Sequence, residues 1–395
     1  MKKILIPNGR FHDVPLILEA KKLNLYVICS GNDSNNIGYK FCDEYIPADF
    51  SDPEAMLKIA VDKKIDYICS NCHDLGYLSS CYVAEKLNLP GHESYEVAKS
   101  LLQKDLYKIL VDELQLHSPI GKSFSDINSA LDFCRQSENF PLIVKPPDLG
   151  GGQGITKIDS IEKAESAIKL AFDNSRKKTI VIEKFVEGTA HSFNAFIVNQ
   201  RVVNWYSDNE YEFFDIPNKI STSASPADKI ELVKDILIED TNKIAAKLNL
   251  PDGLVHSQYI LDSKNRPWIL EVTRRMSGDW YAEPESRATG IDWVKYIVRA
   301  QIGMDCSDFP AYVETRKFTG RHCIIPPDIG FVKSFSIDEK LKPFIYKKFV
   351  WFEKNFYVKN TSRDYPGIIF LDFPDRTTQI EFTTNIKNFI HFDYE

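Results

Sequence analysis

Lys145 closes the apolar run Leu142-Ile143-Val144, and after two prolines, an aspartate and a leucine the chain enters Gly150, Gly151, Gly152, Gln153 and Gly154. Without Cβ atoms such a loop can lay backbone N–H groups on phosphate oxygens, and a lysine at the strand end adds a point charge beside them. The pattern reads as a phosphate clamp, but not as a Walker A loop. No Gly-Lys-Ser/Thr follows, and Ile155, Thr156, Lys157 and Ile158 alternate like a returning strand instead of opening a helix. The spacing describes a β-hairpin flap folded over a nucleotide.

Two further constellations come later in the chain. Thr179 to Glu183 is a buried-type strand that runs on through Lys184, Phe185 and Val186 to Glu187 and Gly188, leaving a backbone segment able to pair with an adenine edge. Val255 to Leu261 and Trp268 to Val272 read as antiparallel strands joined across an Asp262 to Arg266 turn. Period-two alternation points Gln258 on the first of these strands, and Glu271 and Thr273 on the second, toward a shared face. Oxygen ligands facing each other beside a phosphate site suit magnesium. A carboxylate at Glu271, between Leu270 and Val272, is costly on an apolar strand unless it is paired or metal-bound.

The order of these parts resembles the ATP-grasp superfamily, in its carboxylate-amine ligase and biotin carboxylase-like branch. Lys104 precedes the central domain, Lys145 precedes the flap, Glu183 to Val186 forms a Glu-Lys-aromatic-Val hinge, and Glu271 and Arg275 form a Glu-x-x-x-Arg strand end. Thr289, Gly290, Ile291 and Asp292 open a helix in the manner of the same branch. The resemblance implies that Lys104 and Lys145 bind ATP phosphates, and that Gly150, Gly151, Gly152, Gln153 and Gly154 form the lid. It places Glu183, Lys184 and Phe185 along the adenine, with the Val186 N–H facing the ring, and Glu187 or His191 on the ribose. Glu271, Gln258 and Thr273 would hold Mg²⁺, with Mn²⁺ as an alternative, although relatives have Glu and Asn where this chain has Gln258 and Thr273. A glutamine carbonyl ligates magnesium without bringing charge.

The implied chemistry is phosphorylation of a small-molecule carboxylate, followed by capture of the acyl phosphate by an amine of the amino-acid or amino-sugar kind, with release of ADP and phosphate. Arg275 and Lys145 would stabilise transferring charge. Asp279 would orient or deprotonate the amine, or else cap a helix. Trp280, Tyr281, Glu283, Glu285 and Arg287 would border the substrate pocket. Two other classes stand beside this one. A bicarbonate-activating carboxylase is weakened because the Arg-x-Gln-Val-Glu-His run of biotin carboxylases reads Arg275, Met276, Ser277, Gly278, Asp279, Trp280 here. A non-catalytic ATP-binding protein is suggested by Gln258 and Thr273, and opposed by Lys145, the flap, Glu271 and Arg275.

Cys69, Ser70, Asn71, Cys72 and His73 spell a haem-attachment pattern, but the run finishes a strand and has no axial partner nearby. The eight cysteines are scattered and build no disulfide framework, which fits a reducing cytoplasm. Pro7, Asn8, Gly9 and Arg10 cut short the only apolar start that could resemble a signal. No stretch suits a membrane span, and the net charge of −7 with dispersed basic pairs argues against nucleic acid. Relatives are often dimers, so the resemblance allows a homodimer.

Lys3 to Ile6, Tyr26 to Cys29 and Tyr67 to Cys69 read as strands alternating with helices at Val14 to Leu23 and Glu54 to Lys63. The expected fold is α/β and α+β in several domains. It comprises a Rossmann-like parallel-sheet N-terminal domain (residues 1–117), a two-lobed ATP-grasp core (118–304, divided near 185) and a β-rich C-terminal module (305–395). The loop after the first strand lacks a dinucleotide fingerprint and faces the acceptor substrate.

Overall fold

A computed structural model describes residues 1–137, 140–148, 154–213, 216–312, 317–361 and 363–395, with the side chains of 213 and 216–219 left aside. Leu149, Gly150, Gly151, Gly152 and Gln153 fall outside the described residues, so the expectation for the flap tip is not addressed.

The first sheet is parallel, in the order β3-β2-β1-β4, from β1 (Lys3–Pro7), β2 (Tyr26–Gly31), β3 (Glu44–Pro47) and β4 (Tyr67–Ile68). Its strands are apolar on both faces, as a sheet covered on both sides must be. Leu5 and Ile28 pack with Met56 and Val83 of α2 (Pro53–Lys63) and α3 (Asp74–Leu87). Ile4, Ile6 and Val27 pack with Ile17 of α1 (Val14–Lys22) on the other face. Trp293 and Ile297 belong to that same cluster, so the first sheet is packed directly against a later part of the chain.

Two short helices follow, α4 (Tyr95–Leu102) and α5 (Lys104–Leu114). The second sheet is antiparallel in the order β5-β8-β6-β7, from β5 (Gly121–Phe124), β6 (Leu142–Lys145), β7 (Thr156–Ile158) and β8 (Ile180–Lys184). Leu142, Val144, Ile180 and Ile182 form one core with α6 (Ile127–Gln136) and α7 (Ala164–Asn174).

The third sheet is the platform of the molecule. It holds β9 (Gly188–Val198), β10 (Arg201–Phe213), β11 (Ile216–Ser225), β12 (Gly253–Asp262), β13 (Pro267–Thr273) and β14 (Phe318–Cys323). After β15 (Gly330–Ile337) come β16 (Ile345–Val350), β17 (Lys354–Val358), β18 (Gly367–Phe373) and β19 (Ile390–Tyr394). The platform order is β13-β12-β9-β10-β11-β14-β18-β16, while β17-β15-β19 form a small separate sheet. The platform therefore continues across the boundary drawn at 304, because β14 pairs with β11. Period-two alternation gives it two unlike faces. Phe193, Ala195 and Ile197 pack under Val233, Leu237 and Ile244 of α8 (Ile230–Lys247), while Ser192 and Asn194 join the polar side. Helices α9 (Ala282–Thr289) and α10 (Trp293–Gln301) follow β13, and α11 (Arg376–Thr384) lies near the C-terminus.

Candidate active site

Strands β12 and β13 pair in the register Gln258↔Glu271 and His256↔Thr273, so Glu271, Gln258 and Thr273 share the polar face of the platform. Glu271 is half-buried and makes no ion pair or hydrogen bond among the described residues. Thr273 is 3% exposed, and its Oγ1 also lacks a partner. The Gln258 amide donates from Nε2 to Glu210 Oε2 at 2.8 Å, leaving its carbonyl oxygen for the face it shares with Glu271. One free carboxylate, one amide carbonyl and one orphaned hydroxyl form a hard oxygen set of the kind magnesium takes. Among the described residues no three His, Cys, Asp or Glu side chains converge as metal ligands. A cation here would rest on these mixed oxygens, on phosphate and on water.

The lysines surround this face from other elements. Lys104 is the first residue of α5, after a helix break at Gln103. Burial pulls its ammonium below the ordinary lysine range, opposed chiefly by the Glu271 carboxylate, with Lys145 pushing the same way as burial. Its backbone N–H reaches Pro147 O at 3.3 Å, which ties α5 to the entry of the flap. Lys145, at the end of β6, bonds to Glu183 of β8, whose other oxygen is 3.0 Å from Lys108 Nζ. Burial alone would raise the Glu183 carboxyl, but the two ammonium groups outweigh it and hold the group below its usual value. The Glu183 side chain is thus taken up by lysines, and its backbone lies between the paired strands β5 and β6. Lys108 is not singled out by the sequence pattern, although its spacing of four from Lys104 puts both on one side of α5.

Beyond β8 the backbone is tied twice: Lys184 N–H bonds to Ile120 O and Phe185 N–H to Pro141 O. Val186 N–H has no partner among the described residues. The Phe185 ring lies beneath Lys157 Nζ of β7 at 4.2 Å. Lys184 and Glu187 are exposed. His191 does not join the group. Strand alternation carries it to the α8 face, where it is 1% exposed, bonds to Thr189 Oγ1 at 2.6 Å and stacks on Tyr259. Burial lowers its imidazole to about 4, so the ribose role expected for it is corrected.

Arg275 leaves β13 toward the first sheet, where its Nε lies 2.6 Å from Asp74 Oδ1 in the first turn of α3. Asp279 and Trp280 both hold left-handed φ, 55° and 57°, a strained pair for residues with side chains. This turn sends the Trp280 ring onto Phe349, and its indole N–H to Phe11 O at 2.7 Å, while Tyr281 goes to Glu210. Asp279 is no helix cap, since Tyr281 is the N-cap of α9. Its carboxylate bonds to the Tyr365 hydroxyl and lies 3.8 Å from Arg321 NH1. His12 Nδ1 is 3.1 Å from the same carboxylate, yet Nδ1 already accepts the Asp279 N–H at 2.8 Å.

Of the residues expected to border the pocket, Tyr281 donates its hydroxyl to Glu210 on the polar face of the platform. Glu283 pairs with Lys347 and Arg287 with Asp372, so both fasten α9 to the C-terminal strands, and Trp280 is packed among them. Glu285 is fully buried, and burial, with Asp208 beside it, drives its carboxyl well above the usual range. Glu210 is the acid that sequence reasoning missed. It lies on β10, accepts from both Gln258 and the Tyr281 hydroxyl, and burial raises it to about 7. The haem reading of Cys69 to His73 fails: Cys69 is buried, and His73 Nδ1 caps α3 by accepting the Leu75 N–H.

Residues 102–214 match the family model for the phosphoribosylglycinamide synthetase ATP-grasp (A) domain. The carbamoyl phosphate synthase large chain of Thermoanaerobacter sp. (strain X514) is 27% identical over 211 residues, covering 53% of this chain and 19% of that protein. The chain thus spans about a fifth of the length of the first curated relatives it matches. The L-amino acid ligase of Bacillus licheniformis overlays with a TM-score of 0.82 at 18% identity, covering 100% of this chain and 99% of that one. The biotin carboxylase domain of the Hydrogenobacter thermophilus 2-oxoglutarate carboxylase, a dimer in complex with MgADP and bicarbonate, overlays at 0.82 with 15% identity, covering 100% and 91%. Residues 102–214 thus match an ATP-grasp domain family, and the fold of the whole chain is that of an L-amino acid ligase and of a biotin carboxylase domain.

Proposed function

We propose that the protein is an ADP-forming ligase that joins a small carboxylate to an amine through an acyl phosphate. The observation that carries this reading is the free Glu271 carboxylate, opposed to Gln258 on one sheet face with Lys104 beside it. ATP would lie between the second sheet and the platform, with the Val186 N–H toward the adenine and Lys104 and Lys145 toward the phosphates. Glu271, Gln258 and Thr273 would hold Mg²⁺, or Mn²⁺ in its place, which when bound neutralises phosphate charge. Arg275, oriented by Asp74, presents its remaining N–H groups to the transferring phosphoryl group and then to the oxyanion of the tetrahedral intermediate. Asp279, fixed by Tyr365, stands at the mouth of the first sheet and would orient the amine.

The amine then displaces phosphate from the acyl carbon. Support for the substrate class comes from the L-amino acid ligase neighbour, and we take an amino acid as the first substrate to test. A homodimer in the cytoplasm is the proposed setting; among the described residues no helix is long and apolar enough to cross a membrane. The test is release of ADP and phosphate across a panel of paired amino acids, with hydroxylamine replacing the amine as a trap. ADP formation that needs both substrates, and a hydroxamate when the amine is withheld, are expected. AMP and pyrophosphate, or bicarbonate-dependent turnover without an organic carboxylate, would contradict the proposal.

A further inference from the structure

Gln258 is neutral, which leaves Glu271 as the one charged member of the expected ligand set. The structure places a carboxylate in contact with that amide, from a strand two places away: Glu210 of β10 accepts from Gln258 Nε2 at 2.8 Å and from the Tyr281 hydroxyl at 2.9 Å. Both are contacts in which the carboxylate accepts. An amide held this way has its N–H₂ committed to Glu210, so its carbonyl oxygen is the atom left for the face that Glu271 occupies. Glu210 itself is 7% exposed, and Tyr281, which buttresses it, is held from behind by the Arg321 guanidinium 3.8 Å above its ring.

We infer that Glu210 and Gln258 act as one acid–amide unit, in which Glu210 fixes the Gln258 carbonyl toward the cation. This rests on the proposed nucleotide and magnesium site, and it makes Glu210 a positioning residue, not a ligand. In the parent, Gln258→Glu would set two carboxylates against each other, and an acid–amide pair is recovered only if Glu210 becomes the amide.

The experiment is a Mg²⁺ titration of the full chain at fixed ADP, followed by thermal shift, with bound Mn²⁺ read independently from the loss of its free-ion EPR signal. Glu210→Gln is expected to raise the metal midpoint about tenfold or more, in the range seen when the partner of a metal ligand is removed. ADP binding without metal should be unchanged. Gln258→Glu alone should also weaken metal binding, and the exchanged pair, Glu210→Gln with Gln258→Glu, should return the midpoint to near that of the parent. An unchanged midpoint in Glu210→Gln would overturn the inference, as would an exchanged pair no better than either single variant. A parent that shows no metal-dependent shift at all would instead refute the nucleotide–metal reading, and the inference with it.

Discussion

Glu271 and Arg275 stand four residues apart yet answer to different parts of the molecule. The strand holds Glu271 opposite Gln258, and the turn after it delivers Arg275 to Asp74 of the first sheet's helix. A neutral amide at 271 cannot offset phosphate-bound charge, so Glu271→Gln should lower kcat by about 10²-fold or more with an unchanged melting temperature. Arg275→Lys should fall comparably, because an ammonium cannot hold Asp74 and also present a planar pair of donors. Steady-state rates with a productive substrate pair check both. Near-normal turnover in the two variants would move the catalytic centre elsewhere.

At the scale of elements, the β12–β13 hairpin carries the proposed ligand positions, and Asp262 carries the hairpin. Its carboxylate accepts from the N–H groups of Lys264 and Arg266, from Arg266 Nε and from the Trp268 indole. Burial works against the charge, but these donors outweigh it and hold the group at about 2. A lowered carboxyl contributes stability that is complete above the unfolded value near 4 and fades as pH falls through about 2. Asp262→Ala should therefore cost on the order of 1–2 kcal/mol at neutral pH, and less than that near pH 2. Urea melts at the two pH values test it.

The hairpin was legible in sequence because alternation and turn residues are local. Pairing of Gln258 with Glu271 followed from them directly. Glu210, Asp74 and Lys108 were not legible in the same way. Glu210 reaches Gln258 only because β9 inserts between β10 and β12, and Asp74 meets Arg275 only because the first sheet packs against α10, downstream of β13. His191 failed for a related reason: one step along β9 changes the face, and proximity in sequence to the hinge says nothing about which.

Across the whole molecule, the first sheet and the platform are joined by a buried polar tie beside the apolar one. Arg274, next to Arg275, bonds to Leu254 O and Pro251 O and lies 3.4 Å from Glu93, with both side chains 4% exposed. Glu93 also accepts from the Tyr77 hydroxyl of α3. Removing one partner leaves a buried charge alone, so Glu93→Ala should cost about 3–5 kcal/mol by chemical denaturation. It should also reduce turnover, since Arg274 and Arg275 share one turn of backbone.

The acyl phosphate is the central intermediate of the proposed reaction, and the fate of one oxygen tests it. With the carboxylate substrate labelled in heavy oxygen and ATP and the amine supplied, the chemistry predicts one labelled oxygen in the released phosphate for each amide formed. Amide formation with unlabelled phosphate would contradict it.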